Sequence, residues 1–321
     1  MIPENLQTPP DACAPRPDAA FSIEPAAPFR LDLTAWLLKR RPDNIIDRWD
    51  GCTYRRVLVI EGQPVGTAIS QAGRPENPIV HVALSGDMLH SGTKTLVKSA
   101  LARMLGTGVD LGGFYRLTTR DPQLDALARQ FRGVRPPRFP TIFEALVNAI
   151  ACQQLSLLVG IRLLGRLAES YGPSLMERNV PVHAFPSPET LAGLDPKSLQ
   201  TLGLSGSKAR AIIELASAVV EKRLDLDELD NLDNDAAAAR LRKLYGVGRW
   251  TAEYVLLRGL GRLHVFPADD SGARNNLRRW LGLVQPLDYA GVRSAIAPWR
   301  QYGGLIYFHL LLKRLREAGF L

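Results

Sequence analysis

Pro136 and Pro137, adjacent and preceded by Arg135, cut this 321-residue chain into two stretches of different periodicity. Proline lacks an amide proton and pushes its predecessor into an extended conformation, so neither a helix nor an inner strand can run through the pair. Before it, "TYRRVLVIEG", "QPVGTAISQAG" and "NPIVHVALSG" are short β-branched segments separated by Gly, Pro and Asn turn signals, a pattern that predicts antiparallel strands. "TKTLVKSALARMLG" then sets Leu96, Val97, Ala100, Leu101 and Leu105 at helical spacing, one apolar face to cover the sheet. After the prolines, helical patterns take over in "TIFEALVNAIACQQLSLLVGIRLLGRLAESYG", "SKARAIIELASAVVEKR", "DNDAAAARLRKLYG", "GRWTAEYVLLRGL" and "LIYFHLLLKRLREAG", several of them closed by Gly. The reading is α+β: a small antiparallel-sheet domain over 29–130, a linker at 135–137 and a helical region over 131–321. Residues 1–28, rich in Pro and Ala with few periodic apolar positions, are expected to form a loose tail.

The charge follows the same division. Residues 1–125 hold 14 basic and 14 acidic side chains, whereas 126–321 hold 26 against 18, so the whole formal charge of +8 belongs to the second part. A polyanionic partner and a merely solvated basic face account for this equally well. Cys13, Cys52 and Cys152 are too few and too scattered for a disulfide framework or a four-cysteine cluster, and the five histidines show no metal-binding arrangement. No apolar run approaches the roughly 20 residues that span a bilayer, and the first twenty residues lack the basic-then-apolar order of a secretion signal. A soluble intracellular protein without cofactor or membrane contact is expected.

The densest chemistry lies in "LYGVGRWTAEYVLLRGLGRLHVFPADDSGAR", residues 244–274. Gly246 and Gly248, between two helical runs, allow a sharp turn that brings bare amides close to a ligand. The helix starting near Arg249 would point its positive end outward, which suits a phosphate; a plain glycine-capped corner is the alternative. Trp250 and Tyr254, four apart, share a helix face that can line a pocket or fill a core. Asp269 and Asp270 follow Pro267 at the start of another helix, where either could serve as an N-cap.

In this combination "GVGRWTAEYVLLRG" with "FPADD" resembles the helix-hairpin-helix DNA glycosylases, and among them the 3-methyladenine DNA glycosylase II (AlkA-type) branch. The resemblance covers residues 136–312 well and the sheet weakly, where it implies a TATA-binding-protein-like domain. It implies that Gly246, Val247, Gly248, Arg249 and Thr251 meet the backbone of double-stranded DNA, and that Trp250, Tyr254 and Trp299, the last in "PWRQY", wall a pocket for a damaged base. An aromatic face attracts the positive charge that N-alkylation places on a purine, by roughly 0.5 to 2 kcal/mol per contact. In the family pattern the second aspartate, here Asp270, is catalytic, stabilising the sugar cation or activating water. Related bifunctional enzymes carry a lysine where this chain has Trp250, which disfavours a lyase step through a Schiff base. "CQQLS" resembles the loop that fills the gap left by a flipped nucleotide, with Leu155 as wedge and Gln153 and Gln154 beside the orphaned partner base. A monomer is expected. A monovalent ion at the hairpin backbone is left open.

Departures and weaker signals remain. Gly272 stands where the family carries bulkier residues, which bears on the pocket floor and so on substrate range. Gly203, Gly206 and Lys208 form either a second phosphate contact or a polar helix start, and His264 is read as structural. Two other readings stay open: the same fold acting on oxidised or deaminated bases, and a non-catalytic binder of DNA structure.

Overall fold

The computed structural model describes residues 20–87 and 89–321; most of the expected N-terminal tail lies outside them. The chain begins with β1 (Ala20–Ile23), α1 (Leu31–Lys39), β2 (Arg48–Trp49), β3 (Thr53–Ile60), β4 (Gln63–Ala72) and β5 (Ile79–Ser85). The strands form one antiparallel sheet in the order β1-β5-β4-β3-β2. Strand β1 falls inside the stretch expected to be loose: Ile23 pairs with Val80 and is buried, and Phe21 packs against the same core, an alternation hidden by the Pro/Ala-rich surroundings. On the inner face Tyr54 stands opposite Ile69 and Ile69 opposite Val82, so one period-2 set is covered. The cover is α2 (Ser91–Leu105), through Val97, Leu101, Met104 and Leu105. Leu96, expected on this face, is 41% exposed because the buried stripe is set from Val97.

Two short helices follow, α3 (Gly112–Thr118) and α4 (Pro122–Gln130), and beyond the prolines come α5 (Ile142–Cys152) and α6 (Leu157–Tyr171). A two-stranded ribbon, β6 (Ser174–Glu177) with β7 (Val180–His183), interrupts the helices where no strand was expected. Then come α7 (Pro188–Ala192), α8 (Pro196–Thr201), α9 (Gly206–Val220), α10 (Asn234–Leu241), α11 (Arg249–Arg258), α12 (Ser271–Trp280), α13 (Tyr289–Ile296) and α14 (Gly303–Glu317).

Packing does not respect the proposed boundary near residue 131. The sheet, α2 and part of α1 make one core, and helices α5 through α11 make a second. The third joins Leu33 and Leu37 of α1, Phe114 of α3 and Leu124 of α4 to Phe308 and other residues of α12–α14. The expected linker is therefore a buried seam. Arg135 is fully buried and donates from its guanidinium to the carbonyls of Val109, Ala26 and Pro28, satisfying backbone acceptors that helices and strands leave unpaired.

A buried ionic group ties sheet to helices. Arg56 of β3 bridges Asp47, at 2.6 Å, and Glu144 of α5, while the Tyr54 hydroxyl donates to Asp47 at 2.6 Å. Burial holds the Glu144 carboxyl above the usual carboxylate range, with Arg56 acting in the opposite direction.

Candidate active site

Leu244–Gly248 turns between α10 and α11, and the Val247 amide donates to the Leu244 carbonyl at 3.1 Å. Gly246 has φ +77°, and a Cβ there would lie 2.8 Å from the Cβ of Ala211, so both conformation and space call for glycine. Gly248 is the N-cap of α11 and offers no side chain to its amides, whereas α4, α5, α6, α9, α10, α12 and α13 are all capped by a Ser, Thr or Asp side chain. The positive end of α11 is thus left without a side-chain acceptor of its own, where an external one can bind. Of the five hairpin residues expected at DNA, Gly246, Gly248 and Arg249 are exposed, but Val247 and Thr251 are buried. They face the helical core, and Thr251 uses its hydroxyl internally.

The first two turns of α11 grip three consecutive residues of the loop before α12. Glu253 accepts from the Ala268 amide at 2.9 Å, Arg249 donates through two nitrogens to Asp269, one at 3.0 Å, and the Trp250 indole N–H donates to Asp270 Oδ2 at 3.2 Å. Glu253 also accepts from the Tyr289 hydroxyl at 2.7 Å, and Arg249 stacks 3.8 Å above the Tyr289 ring. Burial holds the Glu253 carboxyl above the usual range against these hydrogen bonds. Asp270 is also the N-cap of α12, its Oδ1 accepting from the Ala273 amide at 2.8 Å. The two oxygens thus have separate tasks, and the carboxylate is locked while remaining partly exposed. A Cβ at Gly272 would lie 3.2 Å from Oδ1, so the glycine keeps the flank of this carboxylate clear.

At the end of α5 the chain turns through Gln153–Ser156, so the long helical run of the sequence is two helices. Gln154 has φ +55°, and Leu155, at the tip, is 41% exposed. Gln153 faces inward: its Nε2 donates at 2.8 Å both to the Gly246 carbonyl and to Thr251 Oγ1. Lys208 of α9 donates to the carbonyls of Ala151, at 3.0 Å, and Gln153, at 2.6 Å, and so closes α5 instead of offering its charge outward. His264 pairs with Asn234, in keeping with a structural role.

Trp250 and Tyr254 stack with centroids 5.4 Å apart and planes 29° off parallel. Tyr254 is buried; Trp250 keeps the more open face. Trp299 forms no ring pair with either, among the described residues. It lies against Trp280, the last residue of α12 and about 15 Å along that helix from Asp270, and donates its indole N–H to Asp121 at 3.1 Å. The aromatic that α14 brings toward Asp270 is Tyr307: burial, and next the Asp270 charge, hold its phenol well above the ordinary value. The sequence also gave no sign of Arg40, which follows α1 and donates Nη1 to the Tyr254 hydroxyl at 3.1 Å and to Asn148 Oδ1 at 3.0 Å.

Residues 147–300, which include the loop of Leu155, the hairpin and the aspartates, match the HhH-GPD superfamily of base excision DNA repair proteins. The chain is 29% identical to DNA-3-methyladenine glycosylase of Bacillus subtilis over 201 residues, 63% of this chain and 66% of that one. It is 34% identical to DNA-3-methyladenine glycosylase 2 of Escherichia coli over 170 residues, 53% of this chain and 58% of the relative. The alignments thus span about two thirds or less of these curated relatives. The 3-methyladenine DNA-glycosylase from Archaeoglobus fulgidus superposes with a TM-score of 0.79 at 26% identity, covering 94% of this chain and all of that one. A single match that takes in loop, hairpin and carboxylate, on a fold shared from the sheet to the last helix, means that residues 147–300 belong to the HhH-GPD superfamily of base excision DNA repair proteins.

Proposed function

We propose that the protein is a monofunctional DNA glycosylase that removes alkylated purines of the 3-methyladenine and 7-methylguanine type from double-stranded DNA. The observation that carries this reading is the Trp250–Asp270 hydrogen bond, which fixes an accessible carboxylate at the edge of an aromatic face. A base lying against Trp250 places its sugar bond near Asp270. The C1′–N bond breaks with its electron pair leaving on the base, and the carboxylate stabilises the positive charge left on the sugar. Water then adds at C1′, and its proton passes to the carboxylate or to solvent. An alkylated purine leaves readily, so one carboxylate suffices where glycoside hydrolases commonly employ two. Trp250 supplies no amine for a Schiff base. Leu155 fills the gap left by the rotated nucleotide, and the exposed amides of α11 take a backbone phosphate. The purified protein is expected to release methylated purines from a duplex and to leave the strand uncut until alkali is added. Strand cleavage without alkali, or no base release, rejects the reading.

The hairpin glycines give a separate expectation. Gly246→Ala meets Ala211 in an unfavourable backbone conformation and should weaken binding to damaged and undamaged duplex by a similar factor, since phosphates carry no base identity. A Cβ at Gly248 meets no protein atom within 4 Å, so any affinity lost in Gly248→Ala reports the approach of DNA itself. Fluorescence anisotropy with both duplexes checks this; loss of lesion preference alone would move the hairpin's role to the pocket.

A further inference from the structure

We infer that Arg40 reads the edge of the flipped base farthest from the sugar and tilts the enzyme toward purines that present a hydrogen-bond acceptor there; this rests on the glycosylase reading above. Asp270 accepts from the Trp250 indole, Trp250 stacks on Tyr254, and the Tyr254 hydroxyl accepts from Arg40, so one aromatic wall links carboxylate to guanidinium through successive contacts. A base with its sugar bond at Asp270 extends along that wall toward the guanidinium.

Several features of Arg40 exceed what a strut between α1 and the helical core requires. It is only 9% exposed, yet its hydrogen-bond partners, Tyr254 and Asn148, are neutral, and no carboxylate is among them. Burial opposes this charge, but Tyr254, Cys152 and Asp47 nearby more than offset it, so the guanidinium stays charged with no carboxylate bonded to it directly. Its Nε–H has no acceptor among the described residues. Its backbone sits at φ +59°, ψ −32°, an unfavourable conformation for a residue with a side chain, and such strain concentrates where a side chain must be aimed. Arg258, the other buried arginine beneath Tyr254, likewise leaves its Nε–H without an acceptor among the described residues and shares the Phe139 ring with Arg40, but it makes no hydrogen bond to the Tyr254 hydroxyl and donates to the Leu37 carbonyl instead.

A guanidinium in this place donates to a carbonyl oxygen or an unprotonated ring nitrogen and gains no hydrogen bond from an amino group, so a base such as 3-methyladenine is held by the aromatic face alone. Hypoxanthine, with oxygen at C6, is the favoured probe, and adenine, with an amino group there, the disfavoured one. In single-turnover excision, Arg40→Gln should lower the ratio of hypoxanthine release to 3-methyladenine release by at least tenfold. An unchanged ratio overturns the proposal. With the unaltered protein, free hypoxanthine should quench Trp250 fluorescence at concentrations at least tenfold below those of free adenine, and equal or reversed potency also overturns it. This second measurement decides the matter if Arg40→Gln does not fold. Complete absence of base release from every duplex would instead reject the glycosylase reading, and the quenching result would still judge Arg40.

Discussion

Asp270→Asn is expected to lower base release by about a hundredfold or more while binding to damaged DNA changes only a few fold, because the substitution removes the charge that faces the sugar cation but almost no volume. Its oxygens cap α12 and accept from Trp250, and an asparagine has one oxygen for both tasks. A stability loss of about 0.5 to 2 kcal/mol should therefore accompany the loss of rate, far too little to unfold the protein. Single-turnover rates read beside thermal melting separate the two effects. Asp269→Asn makes the comparison sharper: it breaks a partly exposed pair with Arg249, leaves the cap intact and should cost much less turnover. Base release by Asp270→Asn at the unaltered rate would remove Asp270 from the chemistry.

Arg56→Met should destabilise the fold by about 3 to 5 kcal/mol, since Asp47 and Glu144 would remain in the interior without their shared counter-charge. Urea unfolding would show a lower midpoint. The Glu144 carboxyl is already held above the usual range by burial, so in the variant it has every reason to take up a proton. Adding Glu144→Gln and Asp47→Asn should restore much of the loss, because no uncompensated charge is then left inside. A variant as stable as the original would mean that water reaches the two carboxylates. The effect matters for function because Glu144 lies on α5, whose far end carries the loop of Leu155.

The parts of the site that could be read from the sequence are those contributed by neighbours in the chain. The glycine turn, Trp250 with Tyr254 and Asp270 lie within one short stretch, and the structure places them in one neighbourhood. What could not be read depends on distant partners. Arg40 stands in a run of basic residues that gives no hint of burial, and only the third core, where α1 packs with α14, shows why the end of α1 reaches Tyr254. Trp299 was assigned by family likeness, but its indole is claimed by Asp121, a residue 178 positions earlier. Glu253 looked like any helix surface carboxylate until the Ala268 amide and Tyr289 were placed against it. The prolines marked a true change of periodicity but not a hinge, because whether a proline segment is wet or dry depends on what Arg135 finds to bind.

Gln153 has a mechanical consequence. One amide nitrogen holds the Gly246 carbonyl and the Thr251 hydroxyl together, and the backbone of the same residue is held from below by Lys208. The tip at Leu155 and the glycine turn are therefore yoked through one side chain. If the protein acts as proposed, a pull on the phosphate at the helix end would be passed on to Leu155, like the two arms of a lever about one pin. A hold on the backbone would then also be a trial of whether the base pair beside it will yield.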